Sequence, residues 1–157
     1  MRELILLRHA HAEPAPPGQD DHARPLSAIG RREAAAAGDW LRAHALLPER
    51  VLCSTAQRAR ETWEGLGALD CVDVREEPAI YDATPGMLYE LAESQHDVGQ
   101  LLLVGHNPGL EQLVALLHSG QTGHYRGMPP GSIAVLEFPE DAAMAPGAAR
   151  LSWFWWP

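Results

Sequence analysis

Leu4-Ile5-Leu6-Leu7 is an unbroken apolar run, followed at once by Arg8-His9-Ala10-His11. Four apolar residues without alternation read as a strand covered on both faces, the kind found inside a parallel sheet flanked by helices. Such a strand has little room for charge. The arginine and histidine at its end either solvate the terminus or use the sheet as a rigid mount for chemistry.

Further along, strand-like runs alternate with helical patterns, which predicts an α/β fold in a single domain over 1–157. Strands are expected at about 3–8, 50–53, 72–75, 101–104, 132–138 and 149–156. Ser27 is placed to cap a helix reaching about His44, with Ile29, Ala37, Trp40, Leu41 and His44 facing inward. Ser54 or Thr55 would cap a helix to about Gly67, and another helix spans about Pro85–Glu93. A fourth helix ends near Leu117, with Asn107 as its cap, Pro108 as its first residue and Leu110, Leu113, Val114 and Leu117 inward. The ending Leu151-Ser152-Trp153-Phe154-Trp155-Trp156 alternates as a strand. It would put Leu151, Trp153 and Trp155 on one face and Phe154 and Trp156 on the other, mainly as core and sheet packing. The segment from Pro139 to Ala149 reads as a flexible connection.

With 12 basic and 21 acidic residues the net charge is -9, which argues against general binding to nucleic acid or anionic membranes. Two cysteines, Cys53 and Cys71, make no disulfide framework. The N-terminal apolar run is too short for a secretory signal and is interrupted by Arg8, and no stretch approaches the ~20 apolar residues of a membrane span. The expected compartment is the cytoplasm.

Three strand ends carry the chemistry. One ends at Arg8-His9, one passes through Ser54 into a helix start bearing Arg58, and one ends at Gly105-His106. Open α/β sheets bind ligands beyond the carboxyl ends of their strands, where helix N-termini also favour anions. Two guanidiniums and two imidazoles converging there describe a phosphate site, since arginine's planar fork matches phosphoryl oxygens. His11 and His22 also raise a metal reading, in which His9 and His11, on one side of an extended segment, and His106 would make a three-nitrogen zinc site. Two arginines would repel the cation and no carboxylate stands at ligand spacing, so no metal or other cofactor is expected. His44, His96, His118 and His124 read as surface or packing residues.

The segments "LLRHAHAE", "DDHARPLSAIGRREA", "VLCSTAQRARETWE", "AIYDATPGMLYEL", "LLLVGHNPGLEQLVALL" and "MPPGSIAVLEF" resemble, in this order, the histidine phosphatase superfamily (phosphoglycerate mutase-like). Their spacing and the short chain are similar to its SixA-type phosphohistidine phosphatase branch. The resemblance implies a three-layer α/β/α sandwich with a mostly parallel sheet of about six strands. It makes His9 the nucleophile that is phosphorylated, with Arg8, Arg58 and His106 holding the phosphoryl group. Asp21 and Arg24 would belong to a loop closing over the site, and Asn107 would join the substrate-binding residues. The family often has glycine after the Arg-His pair, where this chain has Ala10.

A neutral imidazole is a competent nucleophile at pH 7, provided its other nitrogen is tied to an acceptor such as a backbone carbonyl. The arginines, and His106 if protonated, would offset charge on the transferring group. An alkoxide leaving group needs a general acid, for which Asp82 is the best candidate, with Glu77 and Glu90 behind it. Asp82 could equally cap the helix beginning near Pro85. The lack of an unmistakable acid fits a P–N substrate: phosphohistidine on a protein, such as a histidine phosphotransfer domain. The alternatives are a small-molecule phosphomonoesterase or mutase using Asp82, and a phosphate-binding module without turnover.

Overall fold

The computed structural model describes residues 1–71, 73–123, 126–140 and 142–157. Six strands form one sheet: β1 (Glu3–Arg8), β2 (Arg50–Cys53), β3 (Val74–Glu76), β4 (Gln100–Gly105), β5 (Ile133–Glu137) and β6 (Arg150–Trp155). Their order is β3-β2-β4-β1-β5-β6. β3, β2, β4 and β1 run parallel, and β5 is antiparallel to both β1 and β6. Val72, expected to open the third strand, and His124 lie outside the described residues.

The apolar run of β1 is explained by its place between two helical layers. Leu4 and Leu6 pack with Leu88, Leu110 and Leu113, from α3 (Pro85–Glu93) and α4 (Gly109–Ser119). Ile5 and Leu7 face the other way, toward Ala37 and Leu41 of α1 (Ala28–Ala43) and Ala59 of α2 (Gln57–Gly65). All four are fully buried, each worth about 1.5–3 kcal/mol against exposure. The result is the three-layer α/β/α sandwich with a mostly parallel sheet.

The helix starts differ from expectation in ways that matter for the site. Ser27 does cap α1, accepting the Gly30 N–H at 3.0 Å. Neither Ser54 nor Thr55 caps α2, which follows Ala56 with no side-chain cap. Their hydroxyls instead meet histidines: Ser54 Oγ lies 2.7 Å from His106 Nε2, and Thr55 Oγ1 lies 2.9 Å from His22 Nε2. Thr84, not Asp82, caps α3 by accepting the Met87 N–H at 3.2 Å. Pro108 precedes α4 rather than starting it, while Asn107 Oδ1 still accepts the Glu111 N–H at 3.3 Å.

Two side-chain placements also depart from simple periodicity. Ile29 is 54% exposed, because the buried stripe of α1 is built from small residues, Gly30, Ala34, Ala37 and Gly38, with Leu41. A methyl group on Gly38 would stand 1.9 Å from the Leu66 carbonyl oxygen, so close approach selects that stripe over hydrophobicity. In β6 the register shifts at Val135/Leu136, where Trp153 pairs with Val135 and Leu151 with Leu136. This bulge carries Leu151 to the side of Phe154, against the α3/α4 layer, and leaves Trp155 on the α1 side. Trp153 remains half exposed beside Trp40.

Gly38→Ala should cost about 2 kcal/mol through overpacking, lowering the thermal midpoint by about 4–8 °C. Gly86→Ala, with only a distant Thr84 hydroxyl nearby, should leave the midpoint unchanged or higher. Paired calorimetric scans of the two variants check both.

Candidate active site

The carboxyl ends of β1, β2 and β4 lie side by side. Arg8 pairs with Gly105, Cys53 pairs with Val104, and the His9 N–H donates to the Gly105 carbonyl at 3.0 Å. This register places His9 beside His106, with ring centroids 5.2 Å apart and planes tilted by 55°. Arg58, in the first turn of α2, reaches the same place. These residues line a cavity of about 290 Å³ together with His11, Arg24, Asn107 and Pro130.

His9 Nδ1 lies 2.8 Å from the Ala10 carbonyl oxygen. A carbonyl only accepts, so Nδ1 carries the hydrogen and Nε2 keeps its lone pair. Burial pushes the His9 pKa down to about 4, helped by the nearby Arg58 and Arg8 and opposed by the Ala10 hydrogen bond. The ring is neutral at pH 7, with its nucleophilic nitrogen free. His106 is also driven down, to about 3, by burial and by His9 and Arg58. It too is neutral at pH 7 and is not a resident cation.

Both guanidiniums are held by part of their donors. Arg8 Nη1 donates to the Met128 carbonyl at 2.7 Å, and burial lowers its pKa against the field of Glu111 and Glu33. Arg58 donates from Nη1 to the Asp21 carbonyl at 2.8 Å and from Nη2 to the Asp21 carboxylate at 3.0 Å. Among the described residues, four buried side-chain polar atoms have no partner: Arg8 Nε, Arg58 Nε, His106 Nδ1 and Ser132 Oγ. The first three belong to cavity-lining residues. Buried orphan polar atoms are costly, and two arginine N–H donors on residues lining one cavity are matched by an oxyanion.

A supporting ring surrounds these groups. Asp21 sits in a short 3-10 turn (Asp21–Ala23), and Tyr81 Oη donates to its carboxylate. That bond, with Arg58, holds the Asp21 pKa down to about 2 and raises that of Tyr81. Tyr81 stands edge-on to His106 at 5.6 Å and under the Arg58 guanidinium at 5.7 Å. Arg24 donates to the Glu13 carbonyl at 3.0 Å and lies 3.4 Å from Asp21. Asn107 Nδ2 donates to the Met128 carbonyl and to Glu111, whose carboxylate also accepts the Met128 N–H. His11 Nδ1 lies 2.7 Å from Ser27 Oγ.

Asp82 is exposed and lines a neighbouring cavity of about 280 Å³ that shares His106 and Asn107 with the first. Glu77 is engaged with the Ala79 N–H, and Glu90 is exposed on α3. Among the described residues no three His, Cys, Asp or Glu side chains gather as a metal-binding group, and no helix is long and apolar enough to cross a membrane. Sequence reasoning missed Tyr81, Glu111 and the hydroxyl of Ser54. The first two carry no motif of their own, and Ser54 reads in the sequence as a strand-end serine or a helix cap.

The match to known proteins agrees with this geometry. The model of the histidine phosphatase superfamily (branch 1) matches residues 4–93. The chain belongs to that superfamily. An uncharacterized Mycobacterium tuberculosis protein is 42% identical over 72% of this chain and 70% of its own length. The phosphohistidine phosphatase SixA of Escherichia coli is 31% identical over 76% of each chain. A crystal structure described as SixA from Agrobacterium tumefaciens superposes with a TM-score of 0.84 at 29% identity, covering 99% of this chain and 98% of that one. As a histidine phosphatase, the protein is a phosphate-transferring hydrolase.

The two depressed histidines give a signed pH dependence. An unfolded histidine titrates near 6.5, so below that pH the unfolded chain binds protons that native His9 and His106 refuse. Native stability should therefore fall by several kcal/mol as pH drops from about 6.5 toward 4. Proton NMR titration of the histidine rings should show His9 and His106 still neutral at pH 5.5, with both midpoints rising when inorganic phosphate is added.

Proposed function

We propose that the protein hydrolyses phosphohistidine on a protein substrate, through a covalent phosphoryl intermediate on His9 Nε2. One observation carries the reading. His9 is partly buried and neutral, its Nδ1–H is tied to the Ala10 carbonyl, and it shares a cavity with three residues that carry unpartnered buried nitrogens.

In the first step Nε2 of His9 attacks phosphorus in line, and the P–N bond to the substrate imidazole breaks. The electron pair of that bond stays with the departing imidazole, which leaves neutral if it carried a proton. The Arg8 and Arg58 guanidiniums and His106 hold the equatorial oxygens. Water then attacks the phosphoryl group, the P–Nε2 bond breaks, and inorganic phosphate leaves with His9 restored. The Nδ1–H stays on Ala10 throughout and spreads the charge of the phosphorylated ring.

Among the described residues, the cavity lining holds arginines, histidines and Asn107 and no carboxylate, which supports a P–N substrate bond. An ester oxygen would need a proton from such a group, whereas an imidazole does not. Arg24 would add charge at the mouth, and Asn107 would fix the Met128 carbonyl that orients Arg8. Asp21, an anion itself, would act through Arg58 rather than on phosphate. The guanidiniums would supply the positive charge that metal-dependent phosphatases draw from an ion, so the reaction as proposed uses no metal. Two free thiols, Cys53 and Cys71, favour a reducing cytoplasm, where histidine phosphotransfer proteins of signalling relays are the proposed partners. The placement of Asp82 beside His106 favours a second reading, a phosphomonoesterase with Asp82 as acid.

Phosphate release from a phosphohistidine protein and from an aryl phosphate ester, measured side by side, separates the readings. We expect fast P–N cleavage that is lost by on the order of a thousandfold or more in His9→Ala and hardly altered in Asp82→Asn. Faster ester cleavage that collapses in Asp82→Asn would instead establish the phosphomonoesterase.

A further inference from the structure

Ser54 is fully buried at the end of β2, fixed there by its N–H donating to the Val104 carbonyl at 3.0 Å. Its hydroxyl oxygen lies 2.7 Å from His106 Nε2 and accepts the Ala56 N–H at 3.3 Å. Among the described residues it meets no other hydrogen-bonding atom. A hydroxyl has one hydrogen to give, and a backbone N–H cannot receive it. The acceptor left for the Ser54 O–H is therefore His106 Nε2. Were Nε2 to carry a hydrogen itself, the Ser54 O–H would be a donor without an acceptor, out of reach of water, which buried sites penalise heavily.

We infer that Ser54 is a positioning residue: its hydroxyl donates to His106 Nε2, holds the ring as the Nδ1–H tautomer, and so presents Nδ1–H to a phosphoryl oxygen. The inference rests on the phosphate-binding part of the reading above and goes beyond it in assigning how His106 acts. His106 Nδ1 is one of the buried nitrogens of the site without a partner, as an N–H awaiting an acceptor would be. The two histidines then divide the work through their partners. His9 gives its Nδ1–H to the Ala10 carbonyl and keeps a lone pair on Nε2 for attack. His106 takes a hydrogen bond on Nε2 and keeps an N–H for the oxyanion. The opposite tautomer would aim a lone pair at the phosphate oxygens and repel them.

Long-range proton–nitrogen NMR on histidine-labelled protein at pH 7 reads each ring's tautomer directly. His106 is expected as Nδ1–H in the wild type. In Ser54→Ala it should move toward the Nε2–H form, with the His9 signature unchanged. Affinity for inorganic phosphate, measured by calorimetry, should fall about ten- to a hundredfold in that variant, the usual weight of a hydrogen bond to a charged group. An Nε2–H signature for His106 in the wild type overturns the inference, whatever the variant does. So does a folded Ser54→Ala protein that keeps the Nδ1–H form and wild-type phosphate affinity. Neither measurement uses a phosphohistidine substrate, so a preference for esters would overturn the proposed substrate and leave the role of Ser54 standing.

Discussion

The pairing of β1 with β4 is the contact on which the site depends. It runs in register from Glu3 with Gln100 to Arg8 with Gly105, and ends with the His9 N–H on the Gly105 carbonyl. Where these two strands stop places Arg8, His9 and His106, while Arg58 comes from the start of α2 beyond β2. Because β1 is apolar on both faces, burial alone would tolerate a slip by one residue, which would swap Leu4 and Leu6 with Ile5 and Leu7. The ends resist it. A side chain on Gly105 would meet Ile80 at 2.9 Å, and a slip would carry Arg8 away from Met128 and His9 away from His106.

Burying two guanidiniums and two imidazoles together is unfavourable unless their charge is managed. The protein does so in two ways. Asp21 takes two donors of Arg58, while Glu111 steadies the Met128 peptide whose carbonyl takes one from Arg8. Both histidines give up their protons. Three of the four unpartnered buried atoms, Arg8 Nε, Arg58 Nε and His106 Nδ1, belong to residues lining one cavity, and in the proposed function an arriving phosphoryl group would engage these residues. A chain of net charge -9 thus holds a locally cationic pocket, and the proposed selectivity for phosphate would rest on that contrast.

The strands and the convergence of Arg8, His9, Arg58 and His106 were legible in the sequence because they follow from local pattern plus a rule about sheet edges. The requirement that His9 be tied to a carbonyl was also legible, since chemistry demands it. Contacts between distant segments were not. Ser54 reads as a helix cap until His106 arrives from fifty residues away, and Asp82 reads as the cap of α3 although Thr84 sits nearer in the turn. Ile29 looks like core by hydrophobicity, yet α1 approaches its neighbours so closely that the buried stripe from Gly30 to Gly38 is glycine and alanine, with Leu41 beyond it. The bulge in β6, which moves Leu151 to the other face, leaves no mark in an alternating aromatic run. Tyr81 gains its place only from the fold, by meeting Asp21, Arg58 and His106 at once.

The central claim is that His9 carries the phosphoryl group. Rapid mixing of the enzyme with a phosphohistidine protein, quenched in alkali and mapped by mass spectrometry, tests it most directly. The account predicts an acid-labile phosphoryl group on the peptide containing His9, formed before phosphate is released and absent from the peptide containing His106. Phosphate release with no phosphorylated enzyme at any time, or a phosphoryl group on His106 instead, would contradict it.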